Sequence, residues 1–123
     1  FQEDRLCGVF SAVANVRLAT GRALPEPEIL RHLEELGLAG SARRPVSQLS
    51  GGMRRRVAIA RAVCAGPQLL LLDEAFKGLD DQCRRDTVAY IRRHTPGASL
   101  LCVTHDPEEA ALLGGRCLDL STL

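Results

Sequence analysis

The sequence has no tryptophan, one tyrosine and three phenylalanines among its 123 residues. An aromatic-poor chain must build its core from Leu, Val, Ile and Ala. It also lacks the interleaved aromatics on which single-stranded bases stack. An excess of charge of either sign is missing too. The formal net charge is +1, with 25% charged residues in near balance, so long-range electrostatics favour neither nucleic acid nor a membrane surface. No apolar run approaches membrane-spanning length, and no signal peptide is visible. Five cysteines, Cys7, Cys64, Cys83, Cys102 and Cys117, form no C-x-x-C. That odd count argues against a disulfide framework or a zinc site and predicts reduced, mostly buried thiols. A glycine-rich loop ending in Gly-Lys-Ser/Thr is also missing. The chain opens on Phe1 and not on methionine, which suggests a fragment.

What is present is ordered. Ser11 can cap a short helix reaching about Leu18, and a second helix starts near Pro25 or Pro27. Ile29, Leu30, Leu33 and Leu36 form its apolar stripe, and Gly37 is placed to end it. Ser50 caps a helix to about Ala65, with an apolar stripe of Met53, Val57, Ala60 and Cys64. Ile59, Ala62 and Val63 widen that stripe, so the second half of the helix is expected to be buried nearly all round. Leu69–Leu72 is a continuous apolar run, expected as a strand covered on both faces. Asp80 can cap a helix to about Arg93, Ser99–Val103 reads as a strand, and residues 107–113 read as a helix. A last short strand is expected at 117–120. A helical first half thus precedes an alternating strand–helix half, an α/β pattern with parallel strands.

Three constellations carry chemistry. Ser50-Gly51-Gly52 opens a helix, where free N–H groups and the dipole attract a phosphate; an ordinary serine N-cap explains the same residues. Asp73-Glu74 ends an apolar strand, where ligands bind in parallel sheets. Adjacent side chains there diverge, so one carboxylate can serve a divalent cation and the other a water. A solvated acidic turn is the competing explanation. His105 follows the next strand at the same sheet edge and can donate to a phosphate or simply cap a loop. The arginines Arg43-Arg44 and Arg54-Arg55-Arg56 read as a solvated face or a subunit contact.

In order and spacing, Phe1-Gln2-Glu3-Asp4-Arg5-Leu6, Leu49-Ser50-Gly51-Gly52-Met53, Leu69–Leu72 with Asp73-Glu74, Gly78-Leu79-Asp80 and Val103-Thr104-His105-Asp106 resemble the ATP-binding subunit of ABC transporters. The first hexapeptide looks most like importers of the nitrate, sulfonate and taurine type. The resemblance runs from Phe1 to about Ser121. It implies a partial P-loop NTPase (RecA-like) parallel sheet with helices, plus the family's helical subdomain. Residues 1–66 would hold the glutamine loop, helical subdomain and signature helix. Residues 67–123 would be the C-terminal part of the α/β core.

The resemblance also assigns roles. Gln2 would sense Mg²⁺ and the attacking water. Ser50, Gly51 and Gly52 would be the signature motif, contacting ATP on the opposite subunit. Asp73 would be the Walker B aspartate serving Mg²⁺, Glu74 the general base, Asp80 the interface aspartate and His105 the switch histidine. ATP and Mg²⁺ would be the ligands of the complete subunit. Its partners would be a second ATP-binding subunit and transmembrane permeases, with no nucleic acid, on the inner face of the cell membrane.

The sequence departs from the family at Ala75, usually proline, and at Lys77-Gly78-Leu79, usually Ser-Ala-Leu; Gly78 would loosen a loop that couples subunits. The Walker A loop, its strand and its helix would lie before Phe1. The 123-residue chain alone is therefore expected neither to bind ATP normally nor to hydrolyse it. With the Walker A strand's slot empty, either the 117–120 strand shifts to pair with 99–103 or a second copy covers the edge, giving self-association. A different class of function is a non-catalytic interaction module that supplies the signature motif to a partner ATPase. Chromosome-maintenance ATPases also share these motifs, but they need a long coiled coil between Gln2 and Ser50, and no sustained heptads occur there.

Overall fold

A computed structural model describes residues 5–122. Helices α1 (Ala12–Thr20), α2 (Glu26–Glu35) and α3 (Gly51–Cys64) come first, with 3₁₀ turns at Ala39–Ser41 and Val46–Gln48 between α2 and α3. Strand β1 (Leu69–Asp73), helix α4 (Asp81–His94), strand β2 (Ser99–Val103) and helix α5 (Pro107–Leu113) follow. The expected order of elements is therefore present up to α5.

The helix starts follow the local chemistry. The side chains of Ser11, Ser50, Asp80 and Asp106 each accept a backbone N–H from the first turn of the helix they precede, satisfying one of the donors a helix start leaves free. Pro25 stands at the start of α2 with no side-chain cap. Beyond the end of α2, Gly37 adopts φ 77° and donates its N–H to Glu34 O, as a terminating glycine does.

Strands β1 and β2 pair in parallel, from Leu69 opposite Ser99 to Asp73 opposite Val103, with α4 as the crossover. One buried cluster runs through the described residues. It joins Val16 of α1, Ile29 and Leu33 of α2, Val57, Ala60 and Val63 of α3, Leu70 and Leu72 of β1, and Val88 and Ile91 of α4. Each Val, Leu or Ile among them stabilises the fold by about 1.5–3 kcal/mol on burial. The Asn15 amide is buried among them and fully employed. It accepts from Cys7 N and donates to the carbonyls of Cys7, Phe10 and Ser11, which pins the segment before α1.

Three expectations are corrected. Strand β1 is covered on one face only: Leu70 and Leu72 are buried, whereas Leu69 and Leu71 are 54% and 61% exposed. The helices pack on one side of the pair, so strict alternation replaces two-sided burial. Residues 117–120 form no strand; Leu118 and Leu120 are exposed. A short segment satisfies its backbone in a sheet only beside another strand, and the sheet consists of β1 and β2 alone among the described residues. The thiols are free as expected but not mostly buried, since four are half-buried and Cys117 is exposed.

Candidate functional site

Parallel strands bring their carboxyl ends to one edge, and the polar residues of the sequence gather there. Asp73 is the last residue of β1 and is half-buried. Glu74 leaves the strand with φ 51°, a left-handed conformation uncommon for a residue with a Cβ. Its N–H donates to Val103 O at 2.9 Å. Its carbonyl accepts from Lys77 N at 3.3 Å and from Arg55 Nη1 at 2.7 Å. The chain turns sharply here, and the carboxylate meets His105: Glu74 Oε1 lies 3.2 Å from His105 Nε2. Sequence alone suggested one edge for these two residues; the structure makes them partners.

The loop carrying His105 is braced from below. Arg84 of α4 is only 8% exposed. It donates to Asp106 Oδ2 at 2.8 Å, Glu108 Oε2 at 2.8 Å and Asp81 Oδ1 at 2.9 Å. Burial disfavours its charge, but Asp106 and Asp81 outweigh that and hold the guanidinium above its usual value. Thr104 Oγ1 donates to the buried Glu109 carboxylate and accepts from Asp106 N. Glu74, Lys77, Gly78, Leu79, Arg84 and His105 are among the residues lining an open cleft of about 510 Å³.

The start of α3 borders this region. A Cβ on Gly52 would stand 3.4 Å from the Leu79 side chain and 3.5 Å from Gly78 O, an ordinary contact distance, so α3 packs beside the 78–79 turn. Ser50 Oγ accepts from Met53 N at 3.2 Å, while Gly51 is exposed with nothing near its Cα side. The serine therefore does cap the helix, and a helix start of this kind attracts an anion in general. Asp80 is spent on capping, with Oδ1 accepting from Cys83 N at 2.7 Å. Ser50, Gly51, Gly52 and Asp80 thus flank the Glu74–His105 cleft and do not line it. Gln2 lies outside the described residues. Gly78 holds φ 83°, so the turn between Glu74 and Asp80 depends on a residue without a Cβ.

Two arginines that contact these residues escape sequence reading. Arg55 looks like one of three equivalent arginines. In the structure none of the three is a solvated face: Arg54 donates to Leu49 O, Arg55 to Glu74 O, and Arg56 to Leu36 O and Gly52 O. Arg84 had a weak signal, an aspartate one turn before it at the helix start.

Among the described residues, no group of three or more His, Cys, Asp or Glu is arranged to cage a metal. Mg²⁺ takes one or two carboxylates and keeps water and phosphate oxygens for its other positions, a donor set that the half-buried Asp73 carboxylate at the end of β1 could join.

A family model described as ABC transporter matches residues 1–77. The aliphatic sulfonates import ATP-binding protein of Burkholderia lata is 45% identical over 126 residues, covering 98% of this chain and 45% of its own length. The sulfate/thiosulfate import ATP-binding protein of Gloeobacter violaceus is 46% identical over 95 residues, covering 72% of this chain and 28% of its own. The chain thus spans about half or less of the length of these curated relatives. Among solved structures, the dimeric bacterial ABC transporter cassette MJ0796 superposes with a TM-score of 0.80 at 28% identity, over 91% of this chain and 53% of that one. The same cassette in a post-hydrolysis state bound to ADP and Pi gives 0.79, again at 28% identity and with the same coverage. Motif order, parallel-sheet edge and family match agree: the chain belongs to the ABC transporter family.

Proposed function

We propose that the chain is part of the ATP-binding subunit of an importer, whose complete form couples ATP binding and hydrolysis to movement of an organic sulfonate or related oxyanion. The observation that carries this is the Glu74–His105 pair at the carboxyl ends of β1 and β2, beside a serine-capped helix start. The names of the relatives supply the solute class.

Bound ATP and Mg²⁺ supply the scissile phosphoanhydride and its charge neutralisation. Asp73 is the residue to hold the ion, directly or through water. Glu74 is the residue to orient an attacking water and take its proton, a role that needs a carboxylate fixed in direction. His105, 95% exposed, is the residue to donate toward a terminal phosphate, exchanging its Nε2 contact with Glu74 for it. Ser50, Gly51 and Gly52 open α3, a helix start suited to a phosphate held by a second subunit, and Asp80 is the proposed contact across that interface. Gln2 keeps its proposed role as the sensor of ion and water. The partners are a second copy and a membrane permease, which would hold the subunit on the inner face of the membrane. No helix among the described residues is long and apolar enough to cross the bilayer itself.

ATP turnover by the full-length subunit that carries this sequence, reconstituted with its permease, tests the proposal. Glu74→Gln is expected to lower kcat at least about a hundredfold while ATP still binds, and uptake of an alkanesulfonate should stop with it. Wild-type turnover in Glu74→Gln would overturn the assignment.

A further inference from the structure

Arg54, Arg55 and Arg56 are consecutive on α3, yet they do different work. Arg54 reaches back to Leu49 O, and Arg56 reaches Gly52 O and Leu36 O; both stay within the helical half of the chain. Arg55 alone crosses to the strand half, placing Nη1 2.7 Å from the carbonyl oxygen of Glu74.

That carbonyl belongs to a residue at φ 51°. A conformation so sparsely used by residues with a Cβ persists only where the surroundings over-determine it. Both backbone polar groups of Glu74 are engaged, and from different elements. Val103 of β2 takes the N–H, while Arg55 of α3 and the Lys77 N–H hold the carbonyl. The side chain leaves the backbone at this point toward His105, so the tilt of this one peptide sets where the carboxylate points.

We propose that Arg55 is a positioning residue: it fixes the direction of the Glu74 carboxylate and ties that direction to the seating of the α3 N-terminus. The inference rests on the reading of Glu74 as the general base. Ser50 through Gly52 open the helix on which Arg55 rides. A shift of that helix on engaging a phosphate is therefore transmitted to the Glu74 carbonyl through a single guanidinium, with no intervening residue.

The experiment uses the full-length subunit and four variants. Arg55→Met removes the donors at similar length. Arg55→Ala removes them with a residue that favours helix. Arg55→Lys keeps one cationic donor, and Glu74→Gln reports on the base itself. For Met and Ala we expect kcat to fall about tenfold or more at unchanged KM for ATP, as for a misplaced catalytic group. Arg55→Lys should recover most of the loss. Unchanged kcat in Met and Ala beside an inactive Glu74→Gln would overturn the role of Arg55 and leave Glu74 as base. Full turnover in Glu74→Gln would overturn both. Failure of both Met and Ala to fold, or a rise in KM that accounts for their losses, would also overturn it, because the contact would then hold the fold or the nucleotide and not the carboxylate.

Discussion

His32 Nδ1 stands 2.8 Å from the hydroxyl of Tyr90, joining α2 to α4 across the boundary between the helical and strand halves. Tyr90 is almost wholly buried, so its hydroxyl needs a partner inside the protein. The imidazole meets the tyrosine ring edge-on, with centroids 5.7 Å apart, and lies 4.4 Å from the ring of His94. His94 and Arg93 in turn bind Glu35. Burial pushes the Tyr90 hydroxyl well above its ordinary value.

This cluster makes stability depend on pH. Burial, and then the neighbouring His94, hold His32 below its ordinary 6.5, against the opposing pull of Glu35 and Glu28. The unfolded chain therefore takes up that proton more readily than the folded one. The contribution is present above the ordinary histidine value and lost as pH falls from there through the lower folded value. The urea midpoint is expected to decline as the pH is taken below about 6.5. His32→Gln, which can still hydrogen-bond to Tyr90, should flatten that decline; an equally steep decline in the variant would refute the assignment. A further loss belongs to more acid solution. Burial favours the neutral form of Glu35, but His94 and Arg93 outweigh it and hold the carboxyl below its ordinary 4.5.

Ser50 has a structural duty and a proposed functional one, and one substitution separates them. Aspartate caps a helix as well as serine does, yet it places a negative charge where a phosphate would dock. Ser50→Asp should leave Tm within about a degree or two and abolish ATP-driven dimerisation of the full-length subunit, read by size-exclusion with light scattering. Ser50→Ala should behave in the opposite sense for stability, losing about 1 kcal/mol of cap.

Gly78 holds φ 83°, a left-handed conformation that favours glycine in this turn. Gly78→Ala meets open space, so its cost is conformational alone, about 1 kcal/mol. Gly40 also faces open space but has no left-handed φ. Gly40→Ala should fall within about 0.5 kcal/mol of neutral. Chemical denaturation of the pair measures the difference, and equal costs would show that the turn does not depend on the glycine.

Arg84 gathers Asp81, Asp106 and Glu108 around one buried guanidinium. Arg84→Met would leave those carboxylates, and the buried Glu109 beside them, without their shared cation. Arg84 and Glu109 are buried while Asp81 and Glu108 are exposed; removing the buried member of such a group costs more than breaking a wholly exposed pair. The drop in Tm should be several-fold larger than for Arg17→Met, which breaks the surface pair with Glu26. Calorimetry decides between them.

Much of this was readable from the chain. Ser11, Ser50 and Asp80 announced their helices because capping is local chemistry, written in one or two residues. Gly37 announced its stop for the same reason. The apolar run at Leu69–Leu72 announced a strand but not its one-sided burial, which depends on where distant helices pack. The segment 117–120 has a strand's composition and no strand, because pairing is settled by a neighbour and not by composition. At the site, Glu74 and His105 could be assigned to one edge from the strands they follow. The guanidinium of Arg55 could not be told from those on either side, since only the fold decides which carbonyl each one meets.

Glu74 occupies a left-handed backbone that glycine or asparagine would adopt more comfortably. Selection for thermal robustness alone would drift this position toward Gly or Asn; with Glu74 as the proposed general base, selection for turnover would hold it at Glu. The residue is therefore a marker that tells the two pressures apart. In a lineage where the subunit has stopped hydrolysing nucleotide but still folds, position 74 is where the release should show first.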